Sequence, residues 1–256
     1  MQDNYEAPVQ IIAEQPWLDL TLSPCTGTFN EADPCFIEWQ QNGTGPYAGT
    51  GGSFFLTWKS SASWDDDADL FFLSAAATTS TGFCPGYSQN LPDPNYWGTS
   101  IVKMQTANPA CTVKLRSKDP RDTPEINFNY STHRADEDLQ AMIDGVELLL
   151  RAADNAGVNY TRILPNPDVS LRQGIMDDSF GHHAGSSCRM GPAGDKSYCV
   201  DSKFRVNGVD GLRLVNASVF PRLPGAMPNG PTFTISRKAF ETIVEDARGI
   251  DESDCE

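Results

Sequence analysis

The chain has 256 residues, with 19 Lys+Arg against 34 Asp+Glu and a net charge of −15. At 39% hydrophobic and 10% aromatic it can bury a core as one large domain or two modest ones, which excludes wholesale disorder. The acidic excess argues against a nucleic-acid partner, and no apolar run nears the ~20 residues of a membrane span. Along the chain, residues 1–50 read as irregular, punctuated by Pro8, Pro16, Pro24, Pro34 and Pro46, with a glycine-rich loop over 43–52. β-Prone runs follow at 52–58, 69–74 and 99–105; 112–116 alternates apolar and polar side chains as a half-buried strand does, and 125–130 is a further strand candidate. The helix signal is clearest over 136–156. There Leu139, Met142, Ile143, Val146, Leu149, Leu150 and Ala153 recur at three- and four-residue spacing behind an acidic start that suits the helix dipole. Residues 212–215 read as a buried strand, 233–247 as a closing helix and 251–256 as a solvated charged tail.

Seven cysteines, at positions 25, 35, 84, 111, 188, 199 and 255, leave at least one unpaired. No two form a Cys-x-x-Cys pair, so a structural zinc site is not expected. Asn-x-Ser/Thr sequons begin at Asn42, Asn129, Asn159 and Asn216. Cysteines and sequons together point to an exported protein. The first six residues lack the basic and apolar segments of a signal peptide, so the expectation is that an export signal lies upstream.

Two segments invite a chemical reading. Gly43-Thr-Gly45-Pro-Tyr-Ala48 has the Gly-x-Gly-x-x-Ala pattern of dinucleotide loops, but it follows a polar stretch, contains Pro46 and precedes a β-prone run. A pyrophosphate loop must leave a strand and open a helix, so this segment reads as a turn. Residues 181–191, Gly-His-His-Ala-Gly-Ser-Ser-Cys-Arg-Met-Gly, are different, because they hold His182 and His183 among small residues that let a substrate approach. Imidazole is a ready proton acceptor near neutral pH. Adjacent side chains of an extended segment point to opposite faces, so the two histidines are not expected to bind a metal together. Taken alone, such a pair is more often structural than catalytic. His133, between a strand candidate and the long helix, reads as a loop or capping residue.

The histidine segment resembles the C-terminal signature of the glucose–methanol–choline flavin oxidoreductases. That signature runs His-x-x-Gly-Thr/Ser, Val-Asp, Leu-Arg-Val-x-Asp-Ala/Gly-Ser-x-x-Pro, then Gly-Pro. The chain supplies His182-His-Ala-Gly185-Ser186, Val200-Asp201, Leu212-Arg-Leu-Val-Asn-Ala-Ser218-Val-Phe-Pro221 and Gly230-Pro231. Upstream, Val113-Lys-Leu-Arg-Ser-Lys-Asp-Pro120 with Pro124-Glu-Ile126 and Asn129-Tyr130 resembles the family's substrate-domain strand pair, and Met1-Gln-Asp-Asn4 resembles an element near the middle of full-length members. The His-His-Ala variant, with residues 201–206, is similar to a fungal branch.

The resemblance implies an α+β fold: an antiparallel substrate-domain sheet backed by the 136–156 helix, plus a partial α/β FAD-domain segment. The implied division is a FAD-domain remnant or linker at 1–18, a substrate-binding region at 19–170, a FAD-contacting segment at 171–250 and a tail at 251–256. It implies FAD as cofactor, a small-molecule alcohol as substrate, and hydride transfer to flavin N5 with His182 as base. His183 would orient a neighbour or pack. Counting back from Pro231 with Gly230 anchored places Met227 at the family's second His/Asn position, with Asn229 two residues away as the other candidate for that role. Asn216, Ala217, Met227, Gly230, Pro231 and Thr232 would contact the cofactor, and no metal is implied. The family's N-terminal FAD-binding half is the expected partner, since nothing here matches its Gly-x-Gly-x-x-Gly turn, and the chain is expected to be inactive without it. Neither nucleic acid nor membrane is an expected partner. Two alternatives stand beside this: a catalytically dead secreted or binding protein, and a relative that retains flavin for non-redox cyclase or lyase chemistry. Of the possible disulfides, Cys25 with Cys35 is preferred over Cys188 with Cys199, because Cys188 sits inside the active-site signature.

Overall fold

The computed structural model describes residues 1–17, 25–26, 28–49, 54–76, 93–130, 132 and 134–249. His133, Cys84, Cys255 and the 251–256 tail lie outside the described residues. In chain order the elements are β1 (Glu6–Ala13), α1 (Pro34–Asn42), β2 (Phe54–Trp58), β3 (Leu70–Ala76), β4 (Tyr96–Lys103), β5 (Thr112–Lys114), β6 (Glu125–Asn127), α2 (Ala135–Asn155), β7 (Tyr160–Leu164), α3 (Leu171–Asp178) and α4 (Asn229–Arg248). They form two compact units that interleave along the sequence, one of residues 6–102 and 139–180, the other of residues 1–5, 103–138 and 181–256.

The first unit is built on a five-stranded sheet in the order β2-β3-β4-β1-β7, with β1 antiparallel to both β4 and β7 and β2 antiparallel to β3. The stretch holding β1 was expected to be irregular because of Pro8. It is a strand because Ala7, Val9, Ile11 and Ala13 repeat at period two and are almost wholly buried. Helix α1 was also unexpected. Asp33 caps it through the Cys35 N–H at 3.1 Å, Pro34 opens it, Gly43 ends it at φ 65°, and a Cys25–Cys35 disulfide anchors it as anticipated. The 43–48 segment is the turn its context required, with a 3-10 turn over Pro46–Ala48.

The core of this unit lies where Leu70, Phe72 and Ile101 are sealed together with Ala141, Met142 and Val146 of α2. Gly145 makes that approach possible. A Cβ there would stand 3.0 Å from Leu70 Cδ1 and 3.2 Å from Ile101 Cγ2, so two further methyls have no room. Gly145→Val is therefore expected to lower stability by about 1–3 kcal/mol through overpacking, read as a lower melting temperature.

The second unit has a two-stranded β5–β6 ladder, in which Val113 pairs with Ile126. The 112–116 segment was expected to be half-buried; instead Leu115 is 88% exposed and Val113 46%. Its core gathers Cys188, Val200, Phe204, Val219 and Ala239. A Cys188–Cys199 disulfide forms here, so the preference against this pair is corrected: both pairings exist. The Cys188 side chain points into this core while the histidines precede it in the loop. Residues 212–215 are not a buried strand, since they make only an isolated Arg205–Arg213 bridge and Leu212 is 47% exposed. Its described neighbour is the short stretch 204–206, through the Val206 N–H on the Leu212 carbonyl at 2.9 Å and the Leu214 N–H on the Phe204 carbonyl at 3.1 Å, a pairing too brief to extend into a strand. Helix α4 starts at Asn229, earlier than expected, with Pro231 tolerated in a first turn whose N–H groups have no acceptor within the helix.

Candidate active site

All of the candidate site residues belong to the second unit. The 181–191 loop is tied down along both edges. On one edge, Gln2 and Gly185 exchange two backbone hydrogen bonds of 2.9 Å each. On the other, the N–H groups of Ser186, Cys188 and Met190 donate to the carbonyls of Ala217, Ser218 and Val219 at 3.1, 2.9 and 2.9 Å. This second ladder joins the candidate catalytic loop to the Asn216–Ala217 segment expected to contact a cofactor.

Asp3 fixes the loop at its histidines. Its carboxylate is fully buried, accepts the His183 backbone N–H at 2.9 Å on Oδ1 and takes the Tyr130 hydroxyl at 3.4 Å on Oδ2. The Asn4 amide donates to the Lys103 and Met104 carbonyls at 3.1 and 2.8 Å, and Thr106 donates its hydroxyl to the Asp3 carbonyl at 2.9 Å. Tyr5 meets Tyr130 edge-on with centroids 4.3 Å apart. Gly181 is a steric necessity at this point, because a Cβ would fall 2.5 Å from both Asp3 Oδ2 and the Tyr130 hydroxyl. Burial pushes the Asp3 carboxyl up to about 6, against the hydrogen bonds from His183, Asn4 and Tyr130 that pull it down. Burial likewise raises the Tyr5 and Tyr130 phenols.

The two histidine rings touch edge-on, with centroids 4.4 Å apart. This corrects the expectation that they face opposite sides. Residues 181–184 carry no strand pairing, so the alternation of an extended ladder does not apply to them. His182 is exposed and His183 half-buried. Burial first, and the neighbouring His182 second, lower His183 to about 4, so it is uncharged at neutral pH. Its Nδ1 is buried without a protein partner, as is the hydroxyl of Ser186, whose backbone is held at φ 57°. Two orphaned polar atoms and a left-handed serine in one loop mark a place where the fold leaves polar groups open.

The other expected residues fall into two groups. Asn216 accepts the Ser218 N–H at 2.9 Å and opens a 3-10 turn over Ala217–Val219. Met227, Asn229, Gly230, Pro231 and Thr232 lie at or just before the start of α4. Met227 is 40% exposed at φ 58°, Asn229 is the first helical residue, and the Thr232 hydroxyl donates to the Pro228 carbonyl within its own helix at 2.7 Å. Asp201 of the Val-Asp element is structural, since it accepts the Lys203 and Arg205 N–H groups at 2.9 Å each and the Arg205 Nε at 2.8 Å. Asp3 and Tyr130 were not singled out from the sequence. The signal that could have found them is that both sit inside the short motifs, Met1-Gln-Asp-Asn4 and Asn129-Tyr130, that carry the resemblance.

Comparison with known proteins agrees with this architecture. Residues 107–236 match the family model of GMC oxidoreductase. The chain is 32% identical over 158 residues to the glucose methanol choline oxidoreductase atC of Aspergillus terreus, covering 60% of this chain and 26% of that protein. It is 27% identical over 263 residues to the oxygen-dependent choline dehydrogenase of Burkholderia mallei, covering 95% of this chain and 42% of the relative. Among solved structures, a variant of the Aspergillus oryzae formate oxidase superposes with a TM-score of 0.76 at 15% identity, over 98% of this chain and 47% of that one. An FAD-dependent oxidoreductase from Chaetomium thermophilum gives 0.59 at 15% identity, over 96% and 48%. The chain thus spans less than half the length of each of these relatives, and with a family model matched over half of its own residues it belongs to the GMC oxidoreductases.

Proposed function

We propose that this chain is the C-terminal, substrate-facing part of an FAD-dependent oxidoreductase that oxidises a CH–OH donor. The observation that carries the reading is the ladder between the histidine loop and residues 217–219, which holds candidate base and candidate cofactor contacts in one frame. The residues present fit a flavin. His183 Nδ1 and the Ser186 hydroxyl are buried without a protein partner, α4 begins with no side-chain cap, and a Cβ at Gly230 would meet open space. Asn216, Ala217, Met227, Gly230, Pro231 and Thr232 would hold that cofactor. FAD, when bound, supplies the hydride acceptor.

The contribution of the chain itself is the proton. His182 takes it from the substrate hydroxyl, because an alcohol gives up hydride poorly until that proton is leaving. Asp3 fixes the loop beneath it, and the uncharged His183 adds no second positive charge beside it. Phe233, Phe240 and Ile243, spaced along one side of α4, are 76%, 56% and 39% exposed, which supports an upstream FAD-binding half covering that side. Two disulfides and exposed sequon asparagines at 42 and 159 support export and glycosylation of the parent protein. Met227 favours a second reading, a catalytically dead binding protein, since a thioether is a weak acceptor and no donor at the position where the family places His or Asn.

The test is expression of the chain together with its upstream half, followed by anaerobic titration with alcohols while flavin absorbance is watched. Stoichiometric flavin that bleaches with a primary or secondary alcohol is the expected result. Flavin that is retained but bleached by no alcohol overturns the redox reading in favour of a non-redox one. A full-length protein that holds no flavin overturns the oxidoreductase reading in favour of the catalytically dead one.

A further inference from the structure

The sequons beginning at Asn42, Asn129, Asn159 and Asn216 stand in different surroundings. Asn129 is half-buried at φ 51°, and its Nδ2 donates to the Ala110 carbonyl at 2.7 Å, so a sugar on that nitrogen would meet the chain instead of solvent. Asn216 opens the 3-10 turn proposed to contact the cofactor, where a glycan and FAD would compete for one place. Asn159 is exposed, and its amide reaches only the exposed Glu14 carboxylate at 3.4 Å. Asn42 is exposed, and its side chain is bound to nothing among the described residues.

Asn42 also has a neighbour that a sugar would cover. It ends α1, and Gly43 turns the chain away at φ 65°. Trp39 precedes it by three residues, so the two side chains share one face of the helix, and the Cα–Cβ bond of Asn42 leans back toward Trp39. The Trp39 ring is 45% exposed and tilted against Phe36, with centroids 5.8 Å apart. The electron-rich face of an indole attracts polarised C–H groups, such as line one side of a pyranose ring. We infer that Asn42 carries an N-linked glycan whose first N-acetylglucosamine lies over the Trp39 ring.

The inference rests on the export proposed above, because the transfer belongs to the secretory route. There the Asn42 amide nitrogen attacks the anomeric carbon of a lipid-diphosphate-linked oligosaccharide. The C1–O bond to the diphosphate breaks, the nitrogen gives up one proton, and the lipid diphosphate leaves. A sugar over Trp39 would steady a nine-residue helix that buries only Cys35 and is anchored by the Cys25–Cys35 disulfide.

To test this, the chain is expressed with its upstream half in a eukaryotic host behind that host's own leader. The secreted protein is trimmed by an endoglycosidase that leaves one N-acetylglucosamine. Peptide mass spectrometry should find the residual sugar on Asn42 and none on Asn129 or Asn216. Hydrogen exchange of the α1 amides should be about 3- to 10-fold slower than in Asn42→Gln, the effect of covering one ring face. Trp39→Ala should remove that difference, while Asn159→Gln should leave α1 exchange unchanged. A secreted protein with Asn42 bare, or with sugar on Asn129 or Asn216, would overturn the assignment. Exchange that is equal with and without the sugar, a difference that survives Trp39→Ala, or one that Asn159→Gln reproduces would overturn the contact with the ring. Because the leader is foreign, these results are independent of native export, whose own failure would be seen as retention of the protein inside its native host.

Discussion

If the proposed function holds, His182→Ala in the chain expressed with its upstream half is expected to lower kcat for alcohol oxidation about 100- to 10,000-fold, the usual contribution of a positioned general base. A base acts as the proton moves, so kcat and kcat/KM should fall together while flavin binding stays intact. The expectation rests on placement, since His182 is the exposed ring of a loop whose backbone is fixed one residue on by Asp3 and three residues on by Gln2. His183→Asn is the matched comparison. It keeps the backbone N–H on Asp3 and replaces a half-buried ring that is already uncharged at neutral pH, so kcat should change less than about 10-fold. Stopped-flow flavin reduction measures both variants. If His183→Asn costs more than His182→Ala, the base is His183 and its orphaned Nδ1 is the proton acceptor.

How far these roles could be read in the sequence depended on how local their cause is. The long helix was legible because its apolar stripe repeats within one segment, and the observed α2 departs from the expected bounds by one residue at each end. Strand β1 was not. Its period-two pattern over Ala7, Val9, Ile11 and Ala13 is short and interrupted by Pro8, and only pairing with β4 and β7, distant in sequence, makes it a strand. Helix α1 hid for a related reason: its cap pair Asp33–Pro34 and its closing Gly43 were visible, but Cys35 is its only buried residue, so no stripe announced it. Residues 212–215 erred the other way, with strand propensity but only the short stretch 204–206 to pair with among the described residues. In the site, the histidines were legible as a motif. Their support by Asp3 was not, because the contact closes 180 residues of chain and leaves no pattern in either segment.

Asp3→Ala and Asp3→Asn should separate the structural use of this residue from the cost of its charge. At pH 4 the carboxyl is largely protonated, and alanine removes the acceptor of both the His183 N–H and the Tyr130 hydroxyl. Leaving two buried donors without acceptors is expected to cost about 2–5 kcal/mol, measured by urea unfolding. Asparagine keeps the shape and the acceptor for His183, and at this pH should cost far less. The pH dependence follows from the direction of the shift. Burial raises the carboxyl from its ordinary 3.8 to about 6, so between these values the folded chain binds more protons than the unfolded one. Stability from this group therefore falls as pH rises through the window, by up to about 3 kcal/mol when ionisation is complete. Asp138, raised to about 6 by burial, adds a trend of the same sign, while His183, lowered to about 4, opposes it because the unfolded chain then binds the extra proton. Subtracting the unfolding curves of Asp3→Asn from those of the native chain removes both and isolates Asp3. The difference should shift in favour of asparagine between pH 4 and pH 7. A difference that stays flat would mean that Asp3 is ionised at no cost, and a difference that runs the other way would mean that its charge stabilises the loop.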